Sequence, residues 1–437
     1  MIRTATVALG ALLAAACLPG PASHAADNSR MRVESVAGLP YTVLLPTDYQ
    51  TSGKRYPVLY LLHAGNGITA RSSAGYEWLD RTDLAEFTAD QDVIVVMPTQ
   101  PELSFFMDAR DGSCRGESRF MRELVPAVDA EYRTVADGRH RAIAGVAPGG
   151  LSAFYLAARY PDMFAAAGSF SGEPDVMLDA GRAGGTAYTG IAAAAVLSCG
   201  GNPLGPGLFG YLSDDEVWWR NANPPDLAAN LRGVSNYVRT GNGVPCDGQD
   251  IANFAVPQEG PGTYPFQFTE QVVAQGSRGL IHGMQREGVA FTGGTEGCGT
   301  HSWRYWQQDL HEFWPQMTAA FGTAAPATFD YRRVDPEFSV WGWDFAADPQ
   351  RAAEFLDIRS ASRSGLTLTG SGTETVTTAG YYPPGASVRI DDGTQVREIV
   401  SDASGRLTFT VDLGPAHTVQ QYRGNDTDFV TRTVHID

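Results

Sequence analysis

The residues whose spacing points to chemistry begin with the stretch GVAPGG, from Gly145 to Gly150. In a strand–turn–helix segment of the pattern G-x-S-x-G, a tight turn exposes the serine hydroxyl as a nucleophile. The middle position here is Ala147, and Pro148 follows it, so the segment lacks both the hydroxyl and the next backbone N–H. Proline also disfavours helical geometry in the residue before it. We therefore predict a relaxed or altered turn at Ala147, without the usual strain.

Two downstream residues complete the set that could carry proton chemistry. Glu270 precedes His301 in the chain, which is the acid-then-histidine order found after such a turn. The alternative for His301 is a packed histidine at a helix start, with Thr300 or Ser302 as the N-cap. The alternative for Glu270 is a solvated carboxylate. Ser152 lies about one helical turn beyond the turn, where a packing serine is the simpler interpretation than a substitute nucleophile.

Alternating strand and helix patterns predict the scaffold that positions these residues. Continuous apolar runs are typical of parallel strands covered on both faces. Helix-like segments with apolar residues three and four apart lie between them, and a helix that begins near HSWRYW ends before Gly322. Such an alternation indicates an open α/β sheet with flanking helices. The predicted strands are Pro57–Leu62, Asp92–Pro98, Arg141–Gly145, SNYVRTG and GVAFTGG.

The C-terminal part of the chain has a different character. From Leu366 onward, short alternating segments separated by turn residues predict a small all-β sandwich, Ig-like, of about seven strands. The preceding residues mix proline, charge and aromatic side chains, which favours a packed connecting segment. The predicted organisation is a signal peptide over 1–25, an α/β domain over 26–323, the connecting segment over 324–364 and the β-sandwich over 365–437.

Several blocks of the sequence resemble the secreted esterase and mycolyltransferase family of the α/β-hydrolase fold. The resemblance covers scattered stretches from about Arg32 to Gly322, and the histidine block is the most specific of them. The blocks are VLYLLHAGNG, MPTQPELSFFMD, GVAPGGLSAFYLAARYPDMFAAAGSFSG, SDDEVWWRNANP, RTGNGVPCDG, QFTEQVV and GTHSWRYW.

This resemblance implies a role for each matching residue. Glu270 would be the triad acid, His301 the triad base and Ala147 the residue at the nucleophile position. Gly65 would supply the first oxyanion donor, whereas the second belongs to Pro148, which has no N–H. The ligand-binding candidates are His63, Asn66 and Trp303, and core packing explains the tryptophan equally well. Because the transferases carry an acidic residue at the place of His63, trehalose recognition is in doubt.

Composition limits the partners. The net charge is −17, which argues against nucleic acid and anionic lipid surfaces. The first 25 residues are typical of a signal peptide cleaved near Ala26, with a lipid anchor at Cys17 as the alternative. No later run is long enough to span a membrane. The remaining four cysteines predict two disulfides in an exported chain, and we expect Cys199 to pair with Cys246. No metal site or cofactor is expected.

Three functions are compatible with this sequence. The first is a secreted or envelope-located member of the family that is catalytically impaired and binds an acyl ester, a glycolipid or an envelope partner. The second is an active esterase or acyltransferase in which His301 activates a water molecule. The third is an envelope scaffold that acts through its C-terminal β domain.

Overall fold

A mixed eight-stranded sheet organises the larger part of the molecule. The computed structural model describes residues 29–64, 76–99, 105–178, 208–248, 266–295, 297–424 and 428–437. Its strands are β1 (Met31–Val36), β2 (Leu39–Leu44), β3 (Val58–Leu62), β4 (Ile94–Pro98), β5 (Arg141–Val146), β6 (Ala166–Phe170), β7 (Ser235–Arg239) and β8 (Phe291–Gly294). The strand order is β1-β2-β4-β3-β5-β6-β7-β8. The pairs from β4 to β8 are parallel, and β2 pairs antiparallel with both β1 and β4. The predicted α/β fold with a mostly parallel sheet is confirmed.

Helices cover both faces of this sheet. They are α1 (Glu77–Arg81), α2 (Leu84–Phe87), α3 (Gly116–Arg119), α4 (Val125–Glu131), α5 (Pro148–Arg159), α6 (Leu212–Asn221), α7 (Phe266–Arg286) and α8 (Trp303–Ala320). A π-helical turn over Phe120–Leu124 joins α3 to α4, and short 3-10 turns span Gly138–His140 and Ala228–Leu231.

The strands read as continuous apolar runs because alternate side chains enter two separate cores. Tyr60 and Leu62 of β3 pack with residues of α5, whereas Leu59 and Leu61 pack on the opposite face with residues of α8. Every residue of β3 is buried. Successive side chains of a strand point to opposite faces, so a sheet covered on both sides needs apolar residues at every position.

The C-terminal strands form two antiparallel sheets. They are β9 (Phe329–Arg333), β10 (Glu337–Val340), β11 (Trp343–Ala346), β12 (Leu356–Ser362), β13 (Gly365–Gly370), β14 (Thr373–Thr377), β15 (Ser387–Asp391), β16 (Val396–Val400), β17 (Thr408–Asp412) and β18 (Val430–Ile436). The six-stranded sheet has the order β16-β15-β18-β13-β12-β9, and the four-stranded sheet has the order β10-β11-β14-β17. A third core lies between them, built around the buried side chains of Trp343, Ile358 and Leu368.

This β region begins earlier than the sequence patterns indicate. Residues 324–364, interpreted above as a connecting segment, contain β9 to β12, and all four strands pair into the two sheets. Their alternation was obscured by the Pro and charged residues between them. Within the β region, the alternating segment TVQQYRG, which the sequence pattern predicts as a strand, does not form one. The backbone N–H of Gln421 in this stretch bonds the carbonyl of Ala353 instead.

Direct hydrogen bonds join the β region to the α/β region. The Tyr331 hydroxyl donates to the Arg159 carbonyl at 2.7 Å. The Asn230 amide both accepts from the Arg332 N–H at 2.8 Å and donates to the Arg332 carbonyl at 3.0 Å. An amide that satisfies both backbone groups of one residue fixes the relative position of the two regions.

The predicted pairing of Cys199 with Cys246 is wrong. Cys246 bonds Cys298, with Cα atoms 5.0 Å apart, and it does not pair with Cys199, which lies outside the described residues. The two bonded cysteines follow β7 and β8, which are neighbouring parallel strands, so their loops meet at one sheet edge. Backbone bonds from Gly243 N–H to Gly299 O and from Gly299 N–H to Val244 O hold the loops together. Cys114 is also disulfide-bonded.

None of the helices within the described residues combines the length and apolar character needed to cross a membrane.

Candidate active site

The turn at Ala147 is a tight, strained elbow, and the predicted relaxed turn is therefore wrong. Ala147 has φ 53° and ψ −121° between the end of β5 and the start of α5. A Cβ atom on Gly145 would lie 2.5 Å from the Gly149 carbonyl, and one on Gly149 would lie 2.6 Å from the His63 carbonyl. The strand, the helix and the loop after β3 therefore approach each other too closely for a side chain at either glycine, and the tight turn is kept even though no serine is present.

Pro148 fits this elbow because it is the first residue of α5. A proline is favourable at that position, since the first helical N–H has no partner inside the helix. Its influence on the preceding residue disfavours only helical backbone angles, which Ala147 does not adopt. The elbow therefore keeps its backbone shape but lacks an N–H at the residue that follows the nucleophile position. Gly65, the residue expected to supply the first oxyanion donor, lies outside the described residues, as does Asn66.

Glu270 and His301 form a buried pair. His301 Nδ1 lies 2.8 Å from Glu270 Oε2, and the Glu270 residue is only 1% exposed. The other carboxylate oxygen, Oε1, accepts from the Ser171 hydroxyl at 2.8 Å and from the Gly241 N–H at 2.6 Å. The carboxylate is thus held by three donors, which orients the imidazole and leaves Nε2 on the side of the ring away from Glu270.

The sheet brings this pair to the same edge as the elbow. Ser171 directly follows β6, Gly241 lies two residues after β7, and His301 follows β8. The Ala147 N–H donates to the carbonyl of Phe170, the residue just before Ser171. In open α/β sheets, ligands bind at the carboxyl ends of the strands, and all these residues lie there.

The structure shows the surroundings of Ser152, the possible substitute nucleophile, and of Ser302, the possible N-cap. The Ser152 hydroxyl donates to the Pro148 carbonyl at 2.8 Å, and the residue is 1% exposed. It is a packed helix serine. Ser302 is the N-cap residue of α8, but its side chain makes no capping hydrogen bond.

Trp303 and His63, two of the expected ligand-binding residues, have different surroundings. Trp303 is 6% exposed and makes edge-to-face contacts with Trp78 and Trp306, with ring centroids 5.2 and 4.9 Å apart. It is a core residue that supports the histidine loop, because Trp306 also contacts the His301 ring at 4.9 Å. His63 is half-buried beside Phe106, and its burial lowers the pKa of the imidazole.

Sequence reasoning missed Asp309, a buried carboxyl on α8. Burial raises its pKa well above the ordinary range, and the nearby carboxylates of Glu270 and Glu312 raise it further against the opposing effect of Arg239. This shift favours the neutral form of Asp309, which reduces the negative charge beside Glu270. A carboxyl three residues after Trp306 on an otherwise apolar helix face was the signal that could have revealed it. The roles of Ser171 and Gly241 had no such signal, since they depend on tertiary contacts.

Comparison with known proteins places these features in a family. The Esterase family profile matches residues 38–317. Esterase Rv1288 of Mycobacterium tuberculosis is 34% identical over 165 residues, which cover 37% of this chain and 34% of that protein, so the chain spans about a third of its length. Diacylglycerol acyltransferase/mycolyltransferase Ag85B of Mycobacterium intracellulare is 25% identical over 335 residues, covering 71% of this chain and 93% of that protein.

Solved structures of similar proteins include MPT51 (FbpC1) of Mycobacterium tuberculosis and a ferulic acid esterase. The first has a TM-score of 0.48 and 21% identity, and covers 65% of this chain and 93% of the other. The second has a TM-score of 0.46 and 21% identity, with 67% and 97% covered. Because the family profile spans well over half of its length, the chain belongs to the Esterase family and is an esterase/mycolyltransferase-type member of the α/β-hydrolase fold.

Proposed function

We propose that this protein keeps the esterase fold and binds an acyl ester or glycolipid in its cleft without forming an acyl-enzyme. One observation carries the proposal. The elbow retains the strained φ of 53° at residue 147, yet a methyl group occupies the nucleophile position and a proline follows it.

The chemical cost of these two residues is large. Removal of a triad serine lowers the rate by about 10⁶-fold in the best-studied protease. Loss of one oxyanion donor lowers it by about 10²–10³-fold. The two effects need not multiply, but either one removes a practical acyl-enzyme route. Ser152 does not replace the missing hydroxyl, because its proton is donated to the Pro148 carbonyl.

The retained Glu270–His301 pair supports ligand binding. His301 keeps one nitrogen on the carboxylate, and its side chain is 13% exposed, so Nε2 is the atom left for a ligand hydroxyl or carbonyl. A polar group placed this way at the strand ends orients a ligand even when no bond is broken.

Ester hydrolysis by the purified wild-type chain tests this proposal. We expect p-nitrophenyl butyrate to be cleaved at the same rate by the wild type and by the His301→Gln variant, near the buffer background. A long-chain acyl amide, which resembles an ester but is not cleaved, is expected to change the tryptophan fluorescence saturably, and more weakly in His301→Gln. Turnover at an ordinary enzyme rate that disappears with His301 would overturn the proposal.

The same pair favours one second candidate, in which His301 activates a water molecule in the space of the missing hydroxyl. A fluorophosphonate probe distinguishes the chemistries. Hydrolysis without labelling of any serine indicates water activation, and labelling indicates a relocated nucleophile. If neither hydrolysis nor labelling is observed, the ligand-binding function proposed above remains.

The third candidate is attachment of the β region to a cell-envelope partner. The edge strand β16 exposes Val396 and Val400 at 55% and 64%, and exposed apolar residues on an edge strand favour pairing with another chain. If this contact retains the protein, Val400→Lys releases it from the envelope and leaves acyl-amide binding unchanged. Thr408→Lys, an exposed change on β17, is the matched control.

Export to the envelope is part of the proposal. The Cys246–Cys298 bond and the disulfide at Cys114 are typical of an oxidising compartment. We expect N-terminal sequencing of the mature protein to begin near Ala26. A mature chain that keeps residues 1–25 would contradict this.

A further inference from the structure

A polar cavity lies between the α/β region and the β region. Its volume is about 260 Å³. Arg110, Arg122 and Trp218 contribute from the α/β region, and Arg333 and Asp335 contribute from the residues at and after the end of β9. None of its lining residues belongs to the elbow or to the Glu270–His301 pair, so it is separate from the candidate active site.

The floor of this cavity is electrically balanced. Arg159 donates to Glu117 at 3.0 Å and to Asp335 at 3.1 Å, and Arg333 donates to Asp335 at 2.7 Å. Two guanidinium groups therefore face two carboxylates, all strongly buried except Asp335, and their charges are compensated. This network joins the two regions and leaves no net charge for a ligand.

The rim carries hydrogen-bond donors whose pairing within the described residues is incomplete. The Arg110 guanidinium lies 4.4 Å above the Trp218 ring, and its nearest carboxylate oxygen, on Asp215, is 3.9 Å away. The buried Nε1–H of Trp218 has no hydrogen-bond partner among the residues that the structure describes. Arg122 is exposed, and within the described part of the chain its side chain has neither a hydrogen bond nor an ion pair.

An unpaired buried donor is costly, since it loses its bond to water without gaining another. Two guanidinium groups and an indole N–H lie around one small space, and the Asp108 carboxylate that also lines it accepts from the Ser118 N–H and hydroxyl. This donor-rich rim suits an anion with several acceptor oxygens. The limited volume excludes a lipid chain or an oligosaccharide. Arg122 also lines an adjoining open groove of about 600 Å³, which offers a ligand a route to the cavity.

We propose that this cavity binds a small oxyanion, a carboxylate or a phosphate, through Arg110, Arg122 and the Trp218 Nε1–H. The site is built by both regions of the chain, and it does not depend on whether the elbow is catalytically active. A bound oxyanion would satisfy the indole donor and the unpaired charge of Arg122 together.

Calorimetric titration of the full chain at low ionic strength tests the proposal with malonate and inorganic phosphate as separate probes. We expect saturable binding of one ion per chain. Arg122→Gln and Trp218→Phe are each expected to weaken it about tenfold, the effect of losing one charge-assisted or buried hydrogen bond. Arg278→Gln is the matched control, because Arg278 is exposed on α7 and does not line the cavity.

The outcomes are distinguishable. Tighter binding of phosphate identifies a phosphorylated ligand, and tighter binding of malonate identifies a carboxylate ligand. The proposal is overturned if neither ion shows saturable heat, if Arg122→Gln binds as tightly as the wild type, or if Arg278→Gln weakens binding equally. Arg122 is exposed, so its variant carries the test even where Trp218→Phe lowers the thermal midpoint.

Discussion

Restoring a serine at residue 147 should restore ester cleavage only when Pro148 is also replaced. The backbone already holds the elbow conformation, with φ 53° and ψ −121°, so Ala147→Ser adds one oxygen without requiring the turn to move. The hydroxyl then lies at the sheet edge that also carries the Glu270–His301 pair. The single variant still lacks the second oxyanion donor, because residue 148 is an imino acid.

The magnitude follows from that missing donor. One oxyanion hydrogen bond is worth about 10²–10³-fold in rate, or about 2.7–4 kcal/mol in the transition state. We therefore expect Ala147→Ser alone to remain feeble, and Ala147→Ser with Pro148→Met to be about 10²–10³-fold faster. The methionine supplies an N–H at the first position of α5, where no helical carbonyl competes for it. Removing the proline costs about 0.4–1 kcal/mol of stability through the unfolded chain.

Initial rates of p-nitrophenyl butyrate hydrolysis, with the thermal midpoint of each variant, measure this effect. A fluorophosphonate adduct located by mass spectrometry at residue 147 confirms the nucleophile. In the double variant, Glu270→Gln should lower the rate by up to about 10⁴-fold, the value found when a triad acid is neutralised in a protease. Ser152→Ala is the control, since its hydroxyl is bonded within α5.

Two results would refute the reasoning. A folded double variant with no activity above the wild type would show that the elbow and the Glu270–His301 pair are not arranged for catalysis. A single variant as fast as the double variant would show that the N–H of residue 148 is not the missing donor.

Two further predictions concern stability. Burial raises the pKa of Glu374 from 4.5 to about 7, and Glu354 adds to this against the effect of Arg351. The folded state thus holds this proton more tightly, so stability falls as the pH rises from about 4.5 through 7, by about 3 kcal/mol at 1.36 kcal/mol per pH unit. The Glu374→Gln variant has no carboxyl proton to lose, so its free energy of urea unfolding should not show that decrease between pH 5 and pH 8. If the variant differs from the wild type by the same free energy at both pH values, the prediction is contradicted. Replacing Cys246 and Cys298 by serine should cost about 4 kcal/mol, since the bond closes a 52-residue separation, and an unchanged urea midpoint would show that the bond is not stabilising.

The parallel sheet was predictable because its signal is local. Strands such as β3 and β5 are buried on both faces of the sheet, so they need apolar residues at successive positions, and this pattern is visible in the sequence. The position of the elbow and the order of Glu270 and His301 could also be predicted from the sequence, because residue type and chain order define them. The retained strain at Ala147 was not, since it accompanies a close approach of β5, α5 and the loop after β3 that only the tertiary structure shows.

Long-range pairing decided the rest. Cys246 and Cys298 meet because β7 and β8 are neighbours in the sheet, a fact that no spacing of cysteines encodes. The donors on Glu270 come from segments 99 and 29 residues away in sequence. The strands hidden in residues 324–364 became visible only through their partners in the two β sheets. Residue types thus define which chemical groups are present or missing, whereas distances between them depend on how distant segments pack.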